Sequence, residues 1–149
     1  MDEIVVLDDA VGHIKKYPHR YLKSGTVVSN AVTGSELAAS IVEEVLILTG
    51  GPLTTFCEGE WWLIASSIDW LGERRDLTPE ELFVRIIPFS EAGPNFMRRE
   101  VLLTAFARDV LIKSAGRRSI IKGDVPTNDD IWRIVDSDED WRGVIAFRL

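Results

Sequence analysis

Cysteine is all but missing from this chain. Cys57 stands alone among 149 residues, so no intramolecular disulfide can form. A single domain of this length buries about two-thirds of its unfolded surface, enough for a core without bridges or a structural metal. A chain that does without disulfides suits a reducing compartment. Long hydrophobic runs are also lacking. The apolar stretches reach only a few residues, far short of the roughly 20 that cross a bilayer, and no membrane partner is expected. Met1, Asp2 and Glu3 make an acidic start where a secretory signal needs a basic one, so the expected location is cytoplasmic.

Histidine is scarce too: His13 and His19 are the only two, and neither has a Ser or Cys nearby in a nucleophile motif. Their spacing of six, with no carboxylate at helical spacing, does not resemble a zinc site. Gly50-Gly51-Pro52 follows a helical pattern instead of preceding one and lacks the Lys-Ser/Thr ending of a phosphate loop. Cys57 sits mid-strand between Phe56 and Glu58, without the cationic neighbourhood a reactive thiolate needs. No cofactor, metal or catalytic residue is expected from these motifs. No internal repeat, linker or low-complexity segment is visible.

Basic charge is the last shortage, 17 Lys and Arg against 24 Asp and Glu, for a net charge of −7. Residues 98–122 carry seven basic side chains against two acids, whereas residues 124–141 carry seven acids against Arg133. Such a distribution argues against direct nucleic-acid binding, which rewards a protein-wide basic field. It suits a basic protein partner.

What is present reads as helices and antiparallel strands interspersed in one domain, residues 1–149, of the α+β class. The strongest signal is Gly93–Gly116, GPNFMRREVLLTAFARDVLIKSAG. Pro94 suits a first helical residue and Gly116 a left-handed stop, and the residues between are apolar around most of a helical circumference. The expectation is a central helix of about 94–115, roughly 30 Å long, with the sheet packed around it. Its polar stripe is Glu100, Thr104 and Arg108, and Arg117 and Arg118 fall just past its C-terminus, where cations complement the helix dipole.

An amphipathic helix of about 34–48 is expected from Leu37, Ala38, Ile41, Val42, Val45 and Leu48, with Thr33 and Glu36 at capping-box spacing and Gly50 as its stop. Leu53–Ser67 reads as a hairpin turning at Glu58-Gly59-Glu60. Thr78, Pro79 and Glu81 open a short helix. Short strands are expected at Glu3–Leu7, Thr26–Ser29, Ser119–Lys122 and Gly143–Leu149. Ile131–Val135 reads as a short helix started by Thr127 with Asp130, although Ile, Trp and Val suit a strand as well.

Two features remain as candidate chemistry. Asp136-Ser137-Asp138-Glu139-Asp140 places carboxylates at alternate positions like a calcium loop, but Trp141 stands where that loop needs glycine and Phe147 where it needs glutamate. A solvated acidic loop fits better, and a third reading is an anionic patch for a basic partner. The five tryptophans are Trp61, Trp62, Trp70, Trp132 and Trp141. Adjacent Trp61 and Trp62 point to opposite faces of a sheet, so either both faces are covered or one indole is partly exposed. An exposed tryptophan ringed by acids is a surface that anchors proteins.

The acidic, tryptophan-rich character, the stretch EGEWWLIASSIDWL (Glu58–Leu71) and the Asp136–Trp141 segment resemble the immunity proteins of bacterial polymorphic toxin and contact-dependent growth inhibition systems. The resemblance implies a cytoplasmic protein that binds one cognate toxin domain, often a basic nuclease, and blocks it. Expected partner contacts are Glu58, Glu60, Asp136, Asp138, Glu139, Asp140 and Trp141. The alternatives are a small-molecule enzyme or ligand-binding domain using Glu100, Thr104 and Arg108, and a subunit or adaptor of a larger assembly.

Overall fold

In the computed structural model, which describes residues 9–149, five antiparallel strands form one open sheet in the order β1-β2-β5-β3-β4. The strands are β1 (Leu53–Glu58), β2 (Trp61–Ser66), β3 (Asp109–Ser114), β4 (Arg117–Lys122) and β5 (Gly143–Arg148). Helices α1 (Ala10–Lys16), α2 (Pro18–Tyr21), α3 (Asn30–Thr49), α4 (Glu100–Phe106) and α5 (Asp130–Val135) complete the α+β domain. The expected strand Glu3–Leu7 lies outside the described residues.

The C-terminal strand is the axis of the fold. β5 pairs with β2 on one side and β3 on the other, and Val144, Ile145, Ala146 and Phe147 are all fully buried. A strand buried on both faces needs apolar residues at every position, which is what VIAF supplies. Ile145 and Phe147 face α3, α4 and the 3₁₀ turn Pro79–Phe83, whereas Val144 and Ala146 face α5. Trp61 and Trp62 divide between the same two layers, Trp61 against the α5 core and Trp62 stacked over Phe147 on the α3 side. Both faces are thus covered, and neither indole is left on an open face.

The long central helix is not there, and the reason is instructive. Helix α4 is only 7 residues, and Ala107 leaves it in an extended conformation. The following Val110-Leu111-Ile112 run joins the sheet between β5 and β4. Because both faces of β3 are covered, its apolar run has no alternation and imitates a buried helix. Gly116 is therefore no helix stop. With Ala115 at φ +50° and Gly116 at φ +84°, the two residues make the two-residue turn of the β3–β4 hairpin, the positive pair that a type I′ turn requires. Arg117 and Arg118 are the first residues of β4 and not a helix C-terminus. Before α4, the chain from Pro88 to Met97 folds back on itself, with Asn95 at φ +67° and the Arg98 amide donating to Ile87 O at 2.8 Å.

Helix α3 is longer than its capping-box spacing implied. Its N-cap is Ser29, whose hydroxyl accepts from the Val32 amide, and Thr33 lies inside the helix with its hydroxyl accepting from Val28 at 3.0 Å. Glu36 clamps the preceding turn, accepting from the amides of Lys23 at 2.7 Å and Ser24 at 3.1 Å. Thr26–Ser29 consequently feeds the helix and forms no strand. Gly50, at φ +61°, ends α3 in the left-handed conformation its sequence implied. The β1–β2 hairpin, the Thr78–Glu81 capping box, the α5 helix and the β5 strand stand where the sequence put them, although the α5 cap is Asp129.

Candidate functional site

Two groups of carboxylates have opposite surroundings. One is exposed and borders β1 on the α5 side of the sheet. Residues alternate along β1, so Thr54, Phe56 and Glu58 share the face of α5, opposite Ala65, Leu63 and Trp61 of β2. Trp141, half-buried, packs its ring 6.4 Å from that of Phe56. With Asp138 and Asp140 it walls a shallow groove of about 190 Å³ whose floor is Leu53, Thr54, Ala65 and Ser66. Asp138 holds this loop in shape: its Oδ1 accepts from the Asp140 amide at 2.9 Å, and its carbonyl accepts from the Trp141 amide at 3.2 Å.

The expected contact residues are thus partly gathered. Asp138, Asp140 and Trp141 meet at the Leu53 end of β1, and Glu139 projects into solvent beside them. Glu58 lies at the other end of the strand on the same face, separated by about 17 Å of chain at 3.3 Å per residue. Asp138, Glu139, Asp140 and Glu58 form no ion pair with any described residue. Two members behave differently. Asp136 caps the end of α5 and binds both Lys113 Nζ, at 2.9 Å, and the Arg118 guanidinium. Burial would push its carboxyl up, but those two cations outweigh it and hold the group below the usual aspartate value. Glu60, in the β1–β2 turn, faces Arg108 at 3.6 Å.

The second group was not legible as a group. Arg98, 2 % exposed, is enclosed by three carboxylates from three parts of the chain. Its Nε lies 3.0 Å from Glu44 Oε2 of α3 and donates to Glu100 Oε1 of α4 at 3.3 Å; one terminal nitrogen donates to Glu100 Oε2 at 2.9 Å and the other to Glu73 at 3.2 Å. Glu44 Oε1 accepts from the Arg99 amide at 2.7 Å, and Phe89 lies under the guanidinium at 5.8 Å. Because the Arg98 N–H is aimed at Glu100, Glu44 Oε2 has a charge partner but no hydrogen bond. Burial first, and then the Glu100 carboxylate beside it, push Glu44 well above the usual glutamate value. Arg98 goes up in turn, because Glu100 and Glu44 together overcome the effect of burying it.

Glu100, Thr104 and Arg108 do not form the polar stripe expected of them. Glu100 is fully buried on Arg98 instead of Arg108, Thr104 has a buried hydroxyl with no partner among the described residues, and Arg108 is exposed beyond the helix end, bonded to Asp109 at 2.9 Å. One signal for the true cluster was available. Glu44 occupies the helical position three after Ile41 and one before Val45, both fully buried, so a carboxylate stands on the inward stripe of α3. Lys122 caps the end of α4 by donating to the carbonyls of Thr104 and Ala107, and Asp109 accepts from Arg148 at 2.7 Å. Among the described residues no three His, Cys, Asp or Glu side chains are grouped to hold a metal ion, and no helix is long and apolar enough to cross a membrane. No protein-family model, curated protein or solved structure matches this chain.

Proposed function

We propose that this chain is a cytoplasmic binding protein of the immunity class, which neutralises a basic toxin domain through the β1 face of its sheet. The observation that carries the reading is the placement of acids that pair with no described cation, Asp138 and Asp140 beside the half-buried Trp141 at one end of β1 and Glu58 at the other end of the same face. An amphipathic aromatic centre with a charged rim is the composition of a protein-binding patch. The net charge of −7 adds an attractive field that accelerates encounter with a cationic partner. A carboxylate rim also occupies the positions on a nuclease that nucleic-acid phosphates would otherwise fill, which is a direct route to inhibition.

Asp136 leaves the proposed contact set because Lys113 and Arg118 already neutralise it, and Glu60 contributes weakly because Arg108 faces it. The enzyme or ligand-binding alternative gains no support from Glu100, Thr104 and Arg108, which do not converge on one site: Glu100 binds Arg98 and Arg108 binds Asp109. The experiment is co-purification of the tagged full chain with the toxin domain encoded beside it, at low and raised salt, together with protection of cells that express that domain. A stoichiometric, salt-sensitive complex that Glu58→Lys with Asp140→Lys weakens at least tenfold is the expected result. Protection that persists with both charges reversed would remove the face from the mechanism.

A further inference from the structure

The two edges of the sheet are not equivalent. β4, one edge, carries Arg117, Arg118 and Lys122, and its register with β3 slips at Val110/Leu111. Arg117 is tied to Glu80 at 2.5 Å, and Lys122 to the end of α4. Cationic side chains and a bulge are the usual means by which a sheet blunts an edge against further pairing. β1, the other edge, has none of these. Its sequence is LTTFCE, without proline, lysine or arginine, and it pairs with β2 in unbroken register over all six residues. No described strand pairs with its outer side.

The hairpin geometry says which groups that edge presents. Gly59, at φ +61°, and Glu60 form a two-residue turn, so the flanking Glu58 and Trp61 exchange hydrogen bonds, as do Phe56 with Leu63 and Thr54 with Ala65. The backbone N–H and C=O groups of Leu53, Thr55 and Cys57 then point outward, unpaired by any described strand. They line up beside the Trp141 groove, with carboxylates at both ends of the same strand.

We infer that β1 is the docking edge itself: the basic partner adds an extended segment to it as a sixth strand, with Lys or Arg at alternate positions on the α5 face and small or apolar residues on the α3 face. Main-chain hydrogen bonds to Leu53, Thr55 and Cys57 give the pairing, and Glu58, Asp138 and Asp140 select the cationic side chains. Charge decides between this occupant and a second copy of the chain. Edge-to-edge pairing of two β1 strands would bring two sets of these same acids together on molecules that each carry −7. The inference rests on the protein-binding reading above and specifies how the partner is held.

The test uses the full chain and three fluorescein-labelled eight-residue peptides: alternating Lys-Val, the same peptide with alternate backbone nitrogens methylated, and alternating Glu-Val. Fluorescence anisotropy at low salt should show the Lys-Val peptide bound, the methylated one at least tenfold weaker, and the Glu-Val one unbound. Thr55→Pro, which removes an outward N–H while leaving the β1–β2 ladder intact, should weaken the Lys-Val peptide at least tenfold, with circular dichroism unchanged. Glu58→Lys with Asp140→Lys should do the same. If methylation and Thr55→Pro have no effect while charge reversal does, strand addition is overturned and the acidic face survives as a simple electrostatic contact. No binding of the Lys-Val peptide overturns strand addition, and the co-purification experiment then judges the protein-binding reading alone. A concentration-dependent dimer that Thr55→Pro abolishes in sedimentation overturns the basic occupant in favour of a second copy.

Discussion

Glu44, Glu73 and Glu100 surround one guanidinium in the interior, whereas Asp138, Glu139 and Asp140 lie beside one indole at the surface, with Glu58 farther along the same strand face. Composition counts these carboxylates identically. Their physical roles differ because the medium differs. Around Arg98, Glu44 and Glu100 have left water and are stabilised by their partners, with Glu73 closing the cluster from the solvent side, so the cluster works as an internal tie between α3, α4 and the loop after β2. Around Trp141, Glu139 and Asp140 remain in solvent, which screens their charge, and contribute little to the fold, whereas Asp138 shapes the loop through the Asp140 amide. Of these two groups, only the second leaves its charge open to a partner.

Removing the central cation tests the first half of that contrast most severely. Arg98→Ala leaves Glu44 and Glu100 buried without compensation, and breaking such a buried set by deleting one partner costs about 3–5 kcal/mol. Urea unfolding followed by far-UV circular dichroism should show that loss. A loss below about 1 kcal/mol would mean that water reaches the cluster. Trp141→Ala should come next. The indole is half-buried against Phe56, so its removal should lower stability by about 1–2 kcal/mol while abolishing most partner affinity. Unchanged affinity would leave the rim without its aromatic anchor.

Glu44→Gln sharpens the comparison through pH. The folded-state Glu44 carboxyl lies above its usual 4.5, so the native protein keeps a proton that the unfolded chain releases. That contribution is complete below about pH 4.5 and is lost as pH rises through the folded value. Asp109 and Asp136 shift the other way, so their contributions are present above the usual aspartate value and fade only in stronger acid. The window from pH 5 upward thus isolates the interior. Wild-type stability should fall across it, and Glu44→Gln, which keeps the acceptor for the Arg99 amide, should flatten the slope. Parallel curves for the two proteins would show that Glu44 holds no excess proton.

The sequence was readable wherever local chemistry decided the outcome. The β1–β2 hairpin follows from two β-rich runs about Gly59, the Thr78–Glu81 box from its own spacing, and the end of α3 from Gly50. It misled where tertiary placement decided. Val110-Leu111-Ile112 is apolar throughout because β3 is covered on both faces, and only the sheet distinguishes that from a helix. Ala115 at φ +50° completes a hairpin turn without the Asn-Gly signature. The Arg98 cluster joins residues 44, 73, 98 and 100, whose approach no spacing encodes. The rim was legible as a patch, since Asp138, Asp140 and Trp141 are neighbours in sequence, but its link to Glu58 depends on the strand they share.

The smallest effect is the most telling about the rim. Glu58→Lys with Asp140→Lys reverses two charges at exposed positions that form no ion pair with a described residue, so folding stability should change by less than about 0.5 kcal/mol. Asp138 is left in place because its Oδ1 accepts from the Asp140 amide and shapes the loop. The net charge rises by about four, and relief of self-repulsion can even raise stability slightly. Partner association should nonetheless slow and lose most of its salt dependence, since rim charges act on the encounter rate. Stability unchanged with association slowed would separate the two groups of carboxylates cleanly. A loss of stability as large as that of Arg98→Ala would show that the rim, too, belongs to the fold.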